Sequence, residues 1–394
     1  MPSEPKSRIP GTRVLGGGRV LFLNQFVPPD PAPTARLLGE VAAELARRGF
    51  EVVPVGDALD YRGGKTILGS RALREGLSLL RLLGRTLLAP RAEAIVVMTS
   101  PPMVPVVAWL ARIRHRRARL IHWAMDLYPE VAVALGEVRK DSLLHRITAA
   151  LMRRVYASCD LVVVLDREMA ERIGPSPRRF ETEPPWPPEP PHLTPPTMTK
   201  AGAEANEGFV WLYSGNLGRA HDWRTLLAAQ ALLEARGLAV DLVFQGGGAE
   251  RAAAMAEAAR MGLQRCHWRE YAPEADLVPS LLLADALVAT QRPETAGCLW
   301  PSKLALAVLV GRPVLWVGSK DGGVADWLRR RGHFAVSPEE PEGLAGEIAR
   351  LAGAAPRERE IPCPDELAAR ITQVRSEGIA RLAGWIEEVA RRGG

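Results

Sequence analysis

Lys303 stands at a position where a positive charge needs an explanation. It follows Pro301 and Ser302, which favour the start of a helix, and the stretch ends at Gly311 before the apolar strand sequence VLWV. A cation in the first turn of a helix opposes the helix dipole, whereas backbone N–H groups there attract an anion. We therefore predict a helix that begins at Ser302 and whose N-terminus, together with Lys303, binds a diphosphate. The alternative is a lysine whose charge extends into solvent.

A glycine-containing loop, YSGNLGRAHDW, follows a predicted strand earlier in the chain. Gly215 and Gly218 permit a tight turn and a close approach of the backbone to a ligand. Arg219 comes next, and its planar guanidinium suits two-point contact with phosphate. We predict that this loop also binds the diphosphate. The alternative is an ordinary strand-to-helix turn with a surface arginine.

A second loop, FQGGGAERA, places Gly246, Gly247 and Gly248 between a predicted strand and a predicted helix. Three successive glycines suit a close approach to the base or ribose of a nucleotide. The loop lacks the G-x-G-x-x-G pattern of dinucleotide-binding proteins, which disfavours a dehydrogenase. The alternative is a flexible end of the strand.

The segment IHWAMDLYPE carries His122, Asp126 and Glu130. We predict that these side chains lie just past the end of a strand and face a cleft between two domains. His122 would then contact a sugar, and Asp126 would activate the hydroxyl group of an acceptor as a general base. The alternative is that each side chain merely caps the strand end.

The composition fits a globular protein of two domains. The chain has 394 residues, 47% of them hydrophobic and 24% charged, which is too long for one ordinary core. Its four cysteines are scattered and form no C-x-x-C pair, which indicates a reducing compartment and no zinc site. The N-terminus lacks the apolar core of a signal peptide. We therefore expect a cytoplasmic protein without a metal or another cofactor.

Alternating strand and helix patterns run through both halves, which predicts α/β domains with parallel sheets and a ligand crevice at the carboxyl ends of the strands. Between the halves, eight of the thirteen residues 184–196 are proline, which favours a stiff extended connector. The predicted segments are a loose tail at 1–18, an N-terminal domain at 19–183, a linker at 184–207, a C-terminal domain at 208–362 and a long amphipathic helix at 363–394.

Positive charge is concentrated in residues 65–119, where eleven basic residues face two acidic ones and give a local charge of +9. The predicted helix at 70–90 sets leucines beside arginines, and residues 112–119 add more arginines. This composition suits the surface of an anionic membrane, and the alternative is a packed helix with a solvated face. The segment contains no interleaved aromatic residues beyond Trp109, which argues against nucleic-acid binding. Prolines interrupt the apolar stretch that begins at Ala94, so we predict a strand, a turn and a helix there rather than a membrane span.

Taken together, these stretches resemble the family 4 glycosyltransferases of the GT-B fold. The resemblance is nearest to bacterial surface-polysaccharide enzymes, which include the fucosamine transferases of O-antigen synthesis. The residues that carry it occur in the family's order and span nearly the whole chain: FLNQFVPPDPAPTARLLGEVAAELARRGFEV, HWAMDLYPEVAVALG, YSGNLGRAHDWRTLLAA, GGGAER and PSKLALAVLVGRPVLWVG.

The resemblance implies two Rossmann-like domains that face each other across a cleft. The C-terminal domain would bind a nucleotide sugar, with Arg219 and Lys303 on the diphosphate and the loop at 246–248 near the nucleoside. The N-terminal domain would bind an acceptor that is often lipid-linked, with His122 and Asp126 on its side of the cleft, and the last helix would return to this domain. Such enzymes retain the configuration of the sugar and usually need no metal.

One stretch departs from the family's pattern. Many members carry two glutamates with seven residues between them, but the count from Glu294 ends on Ser302, and Ala296 stands where relatives with the PSK variant have a glutamate. Either Glu294 serves the donor sugar from a shifted position, or this contact is lost.

The resulting functional hypothesis is a retaining transfer of sugar from a nucleoside diphosphate, specifically UDP, to a polyprenyl-diphosphate-linked glycan at the inner face of the cell membrane. Two alternatives share the fold: a nucleotide-binding scaffold without turnover, and a nucleotide-sugar epimerase.

Overall fold

The structure is a computed structural model that describes residues 18–57, 71–189, 208–337, 339–354 and 363–392. Residues 1–17 of the predicted tail and residues 190–207 of the predicted linker lie outside the described residues.

The first half of the chain forms a six-stranded parallel sheet in the order β2-β1-β3-β4-β5-β6. Most of its strand residues are buried, as in a parallel sheet covered by helices on both faces. The strands are β1 (Arg19–Leu23), β2 (Glu51–Val55), β3 (Ala94–Val97), β4 (Arg119–Trp123), β5 (Leu161–Val164) and β6 (Phe180–Thr182). The helices are α1 (Pro33–Arg47), α2 (Arg71–Leu88), α3 (Val104–Ala111), α4 (Glu130–Ala134), α5 (Leu143–Ser158) and α6 (Arg167–Ile173).

The second half forms another six-stranded parallel sheet in the order β12-β11-β10-β7-β8-β9. Its strands are β7 (Phe209–Ser214), β8 (Val240–Gln245), β9 (Cys266–Arg269), β10 (Ala286–Thr290), β11 (Val314–Val317) and β12 (Phe334–Val336). Its helices are α7 (Trp223–Ala235), α8 (Arg251–Arg260), α9 (Leu277–Leu282), α10 (Leu304–Ala307), α11 (Gly323–Arg329) and α12 (Pro341–Gly353). The predicted fold class, two doubly wound α/β units with parallel sheets, is confirmed.

The last helix, α13 (Pro364–Arg391), returns to the first half of the chain and packs against α1, β3 and β4. Ion pairs accompany this packing. The guanidinium of Arg381 donates to both carboxylate oxygens of Glu183 at 2.7 and 2.9 Å, and Arg179 pairs with Glu388 at 2.7 Å. Together with the buried apolar face of α13, these ion pairs hold the C-terminal segment against the first sheet.

The order of the strands identifies where each sheet can hold a ligand. In the first sheet the chain adds β2 on one side of β1 and then adds β3 and the later strands on the other side. In the second sheet it adds β8 and β9 on one side of β7 and then adds β10 and the later strands on the other side. The crevice of a doubly wound sheet lies at such a switch point, outside the carboxyl ends of the two strands concerned. In the first sheet these ends belong to β1 and β3, and in the second they belong to β7 and β10. The loops that follow these four strands are therefore where a site is expected.

Candidate active site

In the second half, the loops that follow β7 and β8 are joined backbone to backbone. The Leu217 N–H donates to the Gly247 carbonyl at 2.7 Å, and the Gly215 N–H donates to the Gln245 carbonyl at 2.8 Å. A Cβ on Gly246 would collide with the Gly215 carbonyl, and one on Gly248 would collide with the backbone of Leu217.

Gly246 and Gly248 also have φ values of 131° and 129°, which other residues rarely adopt. The packing of the loop after β8 on the loop after β7 thus explains why Gly246 and Gly248 are glycines, without a role in ligand binding. Gly247 lies differently, because a Cβ there would meet the ring of Tyr271, which is 56% exposed. The predicted contact of these three glycines with a nucleoside stays a prediction.

The predicted helix start at Ser302 is wrong. Residues 301–303 form turns, in which the Leu304 N–H donates to the Pro301 carbonyl at 3.0 Å, and α10 spans only Leu304–Ala307 with Lys303 as its N-cap. The left-handed Gly311, with φ of 80°, and Pro313 follow within a few residues and leave no room for a longer helix. Ser302 is exposed, and so short a helix offers no substantial dipole for an anion.

The Lys303 side chain nevertheless lies at the centre of the loops that were expected to bind the diphosphate. Its Nζ donates to the hydroxyl of Tyr213 and lies 3.7 Å from the centroid of the Tyr213 ring. A Cβ on Gly215 would come within 3.4 Å of this Nζ, so the glycine leaves the space that the lysine occupies. Among the described residues, no carboxylate lies within ion-pair distance of Lys303. Burial lowers the pKa of its amine to about 7.

Further polar groups around Lys303 were not anticipated from the sequence. Tyr213 donates its hydroxyl proton to the Asn216 carbonyl at 2.8 Å, and His221 donates from Nδ1 to the Thr290 carbonyl at 2.7 Å. Burial, reinforced by the charge of Lys303, lowers the pKa of His221 to about 3, so this histidine is neutral. Thr290 ends β10 and Tyr213 lies in β7, so these contacts join the two strands of the switch point.

Arg219 is engaged with the first half of the chain. Its guanidinium donates to the Leu135 carbonyl and lies 3.3 Å from the carboxylate of Glu137. To contact a diphosphate, the guanidinium would have to exchange these partners. The structure thus does not bring Arg219 together with Lys303, and its predicted role stays a prediction.

Glu294 lies in a single 3-10 turn, Pro293–Thr295, in the loop that follows β10. Its side chain is exposed and lies 3.5 Å from the guanidinium of Arg292. The Arg292 N–H in turn donates to the Ala220 carbonyl at 2.7 Å, which connects this loop with the loop that follows β7. Glu294 therefore lies at the edge of the same switch point as Lys303.

In the first half, the loops after β1 and β3 are held together by polar groups that the sequence analysis did not single out. The Gln25 N–H donates to the Ser100 carbonyl at 2.5 Å, and the Ser100 N–H donates to the Asn24 side chain at 3.3 Å. The Thr99 hydroxyl oxygen accepts from the Met125 N–H at 2.9 Å. The sequence contained a signal that could have identified these residues, because Asn24, Gln25, Thr99 and Ser100 all come shortly after an apolar strand.

Asp126 lies where the two halves of the chain meet. Its backbone forms an isolated antiparallel bridge with Leu299, and the Leu127 N–H donates to the Cys298 carbonyl at 2.7 Å. Burial raises the pKa of the Asp126 carboxyl to about 6. A carboxyl with such a pKa is largely ionised at neutral pH and is a stronger base than an ordinary aspartate. This geometry places Asp126 beside the loop that leads to Lys303.

The predicted placement of His122 past the strand end is wrong. His122 lies within β4, is 1% exposed and stacks on the ring of Tyr156 at 5.7 Å between ring centroids. Neither ring nitrogen has a hydrogen-bond partner among the described residues. Burial lowers the pKa of His122 to about 3. The sequence RLIHW is a buried strand in which the histidine points into a core, so His122 does not face the cleft.

The part of the chain that the structure describes contains no group of three or more His, Cys, Asp or Glu side chains that could hold a metal ion.

Two families of known proteins match successive parts of the chain. Residues 34–186 match the glycosyl transferase 4-like domain, and residues 208–353 match the glycosyl transferases group 1. The chain belongs to the family 4 glycosyltransferases. The predicted family is thus confirmed. The probable glycosyltransferase WbjE of Pseudomonas aeruginosa is 25% identical over 267 residues, and the match covers 65% of the chain and 65% of the length of that curated relative.

Solved structures of similar shape support the GT-B fold. The Anabaena protein HepE in complex with UDP and glucose is 17% identical, with a TM-score of 0.65 over 94% of the chain and 100% of HepE. Sucrose-phosphate synthase from Thermosynechococcus elongatus is also 17% identical, with a TM-score of 0.63 over 95% of the chain and 96% of the synthase. At this level of identity, the two similarities establish the fold alone.

Proposed function

We propose that the chain is a retaining glycosyltransferase that moves a sugar from a UDP-sugar to a hydroxyl group of a lipid-linked glycan in cell-surface polysaccharide synthesis. The observation that carries this proposal is the Lys303 amine, which lies at the switch point of the second sheet and has no carboxylate partner among the described residues. An amine in this position is available to an anion. The complex of HepE with UDP and glucose supports a nucleotide-sugar donor, and the similarity to the probable glycosyltransferase WbjE supports sugar transfer.

In this mechanism, the bond between the anomeric carbon and the diphosphate oxygen breaks, and the acceptor oxygen attacks from the face that the diphosphate leaves. Negative charge develops on the departing diphosphate, and Lys303 stabilises it with its ammonium group. The proton of the acceptor hydroxyl passes to the carboxylate of Asp126, whose raised pKa makes it a competent base near neutral pH. Glu294, at the edge of the site, contacts the donor sugar.

The variant Lys303→Ala tests this assignment. Loss of one preorganised charge at a leaving group typically costs ~3 kcal/mol, so we expect turnover to fall roughly a hundredfold while the fold is kept. Lys320→Ala is the matched control, because Lys320 lies in the same half of the chain but pairs with the exposed Glu340. Transfer is measured by mass spectrometry with a panel of UDP-sugars, with and without a membrane extract that supplies the acceptor. Full activity of Lys303→Ala would refute the role of the lysine.

The same assay separates the alternatives. A scaffold would bind UDP without converting any sugar, and the altered glutamate register around Glu294 and Ala296 is the feature that favours it. An epimerase would convert a UDP-sugar when no acceptor is present. Transfer that depends on the membrane extract would exclude both.

We also propose that the first half of the chain contacts an anionic membrane through α2 and the connection from α3 to β4. Leu73 and Leu80 are exposed one heptad apart on α2, and Ile113 is 72% exposed on the neighbouring connection, among exposed arginines. Leucines beside arginines suit the boundary of anionic lipids. None of the described helices combines the length and the apolar character that a membrane span requires. Contact through α2 and the connection from α3 to β4, on the cytoplasmic side of the cell membrane, would give the protein access to a polyprenyl-linked acceptor.

Flotation with vesicles tests the membrane contact. We expect the wild type to float with vesicles that contain phosphatidylglycerol and to remain unbound with neutral vesicles or at high salt. The double variant Leu80→Glu and Ile113→Glu should lose binding. Met255→Glu is the matched control, because Met255 is 41% exposed on α8 of the other half. Equal flotation of all three proteins would contradict the assignment of this surface.

A further inference from the structure

The partner of Lys303 in this structure is a neutral oxygen rather than a carboxylate, although the lysine is half-buried. The Tyr213 hydroxyl accepts a hydrogen bond from the amine and donates its own proton to the Asn216 carbonyl. Since the hydroxyl proton is directed at the carbonyl, the lone pairs of the phenol oxygen face the amine. The phenol thereby fixes the position of the amine without neutralising its charge.

The phenol itself has little freedom to move. Tyr213 is 1% exposed, lies in the middle of the second sheet next to β8 and β10, and packs against Phe244 and His221 with ring centroids 5.7 Å apart in each case. Gly215, two residues later, leaves room for the end of the Lys303 side chain. The tyrosine is therefore a rigid support for a flexible side chain.

We propose that Tyr213 is the positioning residue of the donor site: its hydroxyl holds the Lys303 amine ready in the ligand-free protein and keeps its hydrogen bond to the amine when an oxygen of the donor diphosphate binds there as well. This inference rests on the proposed function, because it assumes that the ligand of Lys303 is a diphosphate. It adds a consequence that the proposed function alone does not have, namely that donor binding draws a proton from solvent onto Lys303.

The uptake of a proton by Lys303 on donor binding is expected from the groups that surround its amine. Burial lowers the pKa of Lys303 to about 7, and the titratable groups that face it are Tyr213 and the neutral His221, with Tyr271 beyond Tyr213. A dianionic diphosphate favours the ammonium form and raises the pKa again. Binding should therefore take up about half a proton at pH 7 and nearly one at pH 8.

The first experiment titrates Lys303 in the ligand-free protein. The chain contains only six lysines, so NMR of protein labelled with 13C at lysine Cε resolves them, and the loss of one signal in Lys303→Arg assigns it. We expect the midpoint of the wild type near pH 7 and that of Tyr213→Phe about one pH unit lower, because the ammonium loses its hydrogen-bond acceptor. Tyr156→Phe is the matched control, since it removes a buried tyrosine hydroxyl that has no partner among the described residues. An unchanged midpoint in Tyr213→Phe would overturn the inference.

The second experiment measures UDP binding by calorimetry in two buffers with different heats of protonation. For Tyr213→Phe we expect affinity to fall about twofold at pH 6, about fivefold at pH 7 and about tenfold at pH 8. A purely structural loss would weaken binding equally at all three values. No UDP binding by the wild type would refute the proposed donor site, whereas binding without proton uptake would overturn this inference alone.

Discussion

His122 offers a prediction that separates a core residue from a catalytic one. Replacement by phenylalanine keeps the ring that stacks on Tyr156 and removes two nitrogens that have no partner among the described residues. With a pKa of about 3 in the folded protein and 6.5 in the unfolded chain, His122 binds a proton only on unfolding between these two values. The unfolded state then holds more protons, so stability falls as the pH decreases through this range.

The size of this effect can be worked out. Between pH 7 and pH 5, the unfolded histidine becomes almost fully charged while the folded one stays neutral, which costs the wild type about 2 kcal/mol of unfolding free energy. His122→Phe should lack this loss and should be at least as stable as the wild type at pH 7. Urea denaturation at both pH values measures the difference. If the variant loses stability with pH as the wild type does, or if it loses transfer activity while folded, then His122 is not the buried core residue described above.

Three further predictions concern the site. Asp126→Asn should lower turnover at pH 8 by at least about a hundredfold and remove the fall in wild-type rate below about pH 6, which a pH–rate profile would show. Gly248→Ala should destabilise the protein by more than about 1 kcal/mol and weaken UDP binding, because φ of Gly248 is 129° and the new Cβ would meet the backbone of Leu217. Gly346→Ala is the control, because Gly346 lies at an open position in a helix, and it should leave the stability unchanged. Thermal denaturation measures both effects on stability. Arg219→Ala should weaken UDP binding less than about tenfold in calorimetry, since its guanidinium is exposed and already paired with Glu137; a loss as large as that of Lys303→Ala would show that the pairing is given up for the donor.

The fold was readable from the sequence because buried parallel strands leave a strong pattern. AIVV, LVVV and VLWV are continuous apolar runs that a sheet covered on both faces requires, and glycine or proline ends the helices between them. The short edge strands β6, β9 and β12 were not predicted, because partly exposed strands of three or four residues lack this pattern.

The site was readable only in part. Lys303 was identified from its sequence context, but its helix was predicted to start too early. Pro301 and Ser302 favour a helix start, whereas in the structure they form a turn and the helix begins at Leu304. His122 was placed in the cleft because it was expected just past the end of a strand, whereas β4 continues to Trp123 and the stacking of His122 on Tyr156 is a tertiary contact. Tyr213 was overlooked for the opposite reason: in the strand sequence FVWLYS it reads as an ordinary core aromatic.

The most direct test of the account is a crystal structure of the protein with bound UDP. We predict that the diphosphate lies at the carboxyl ends of β7 and β10, with an oxygen about 3 Å from Nζ of Lys303 and with the Tyr213 hydroxyl still beside the amine. UDP bound elsewhere in the cleft, with Lys303 still paired only to Tyr213, would contradict the central claim.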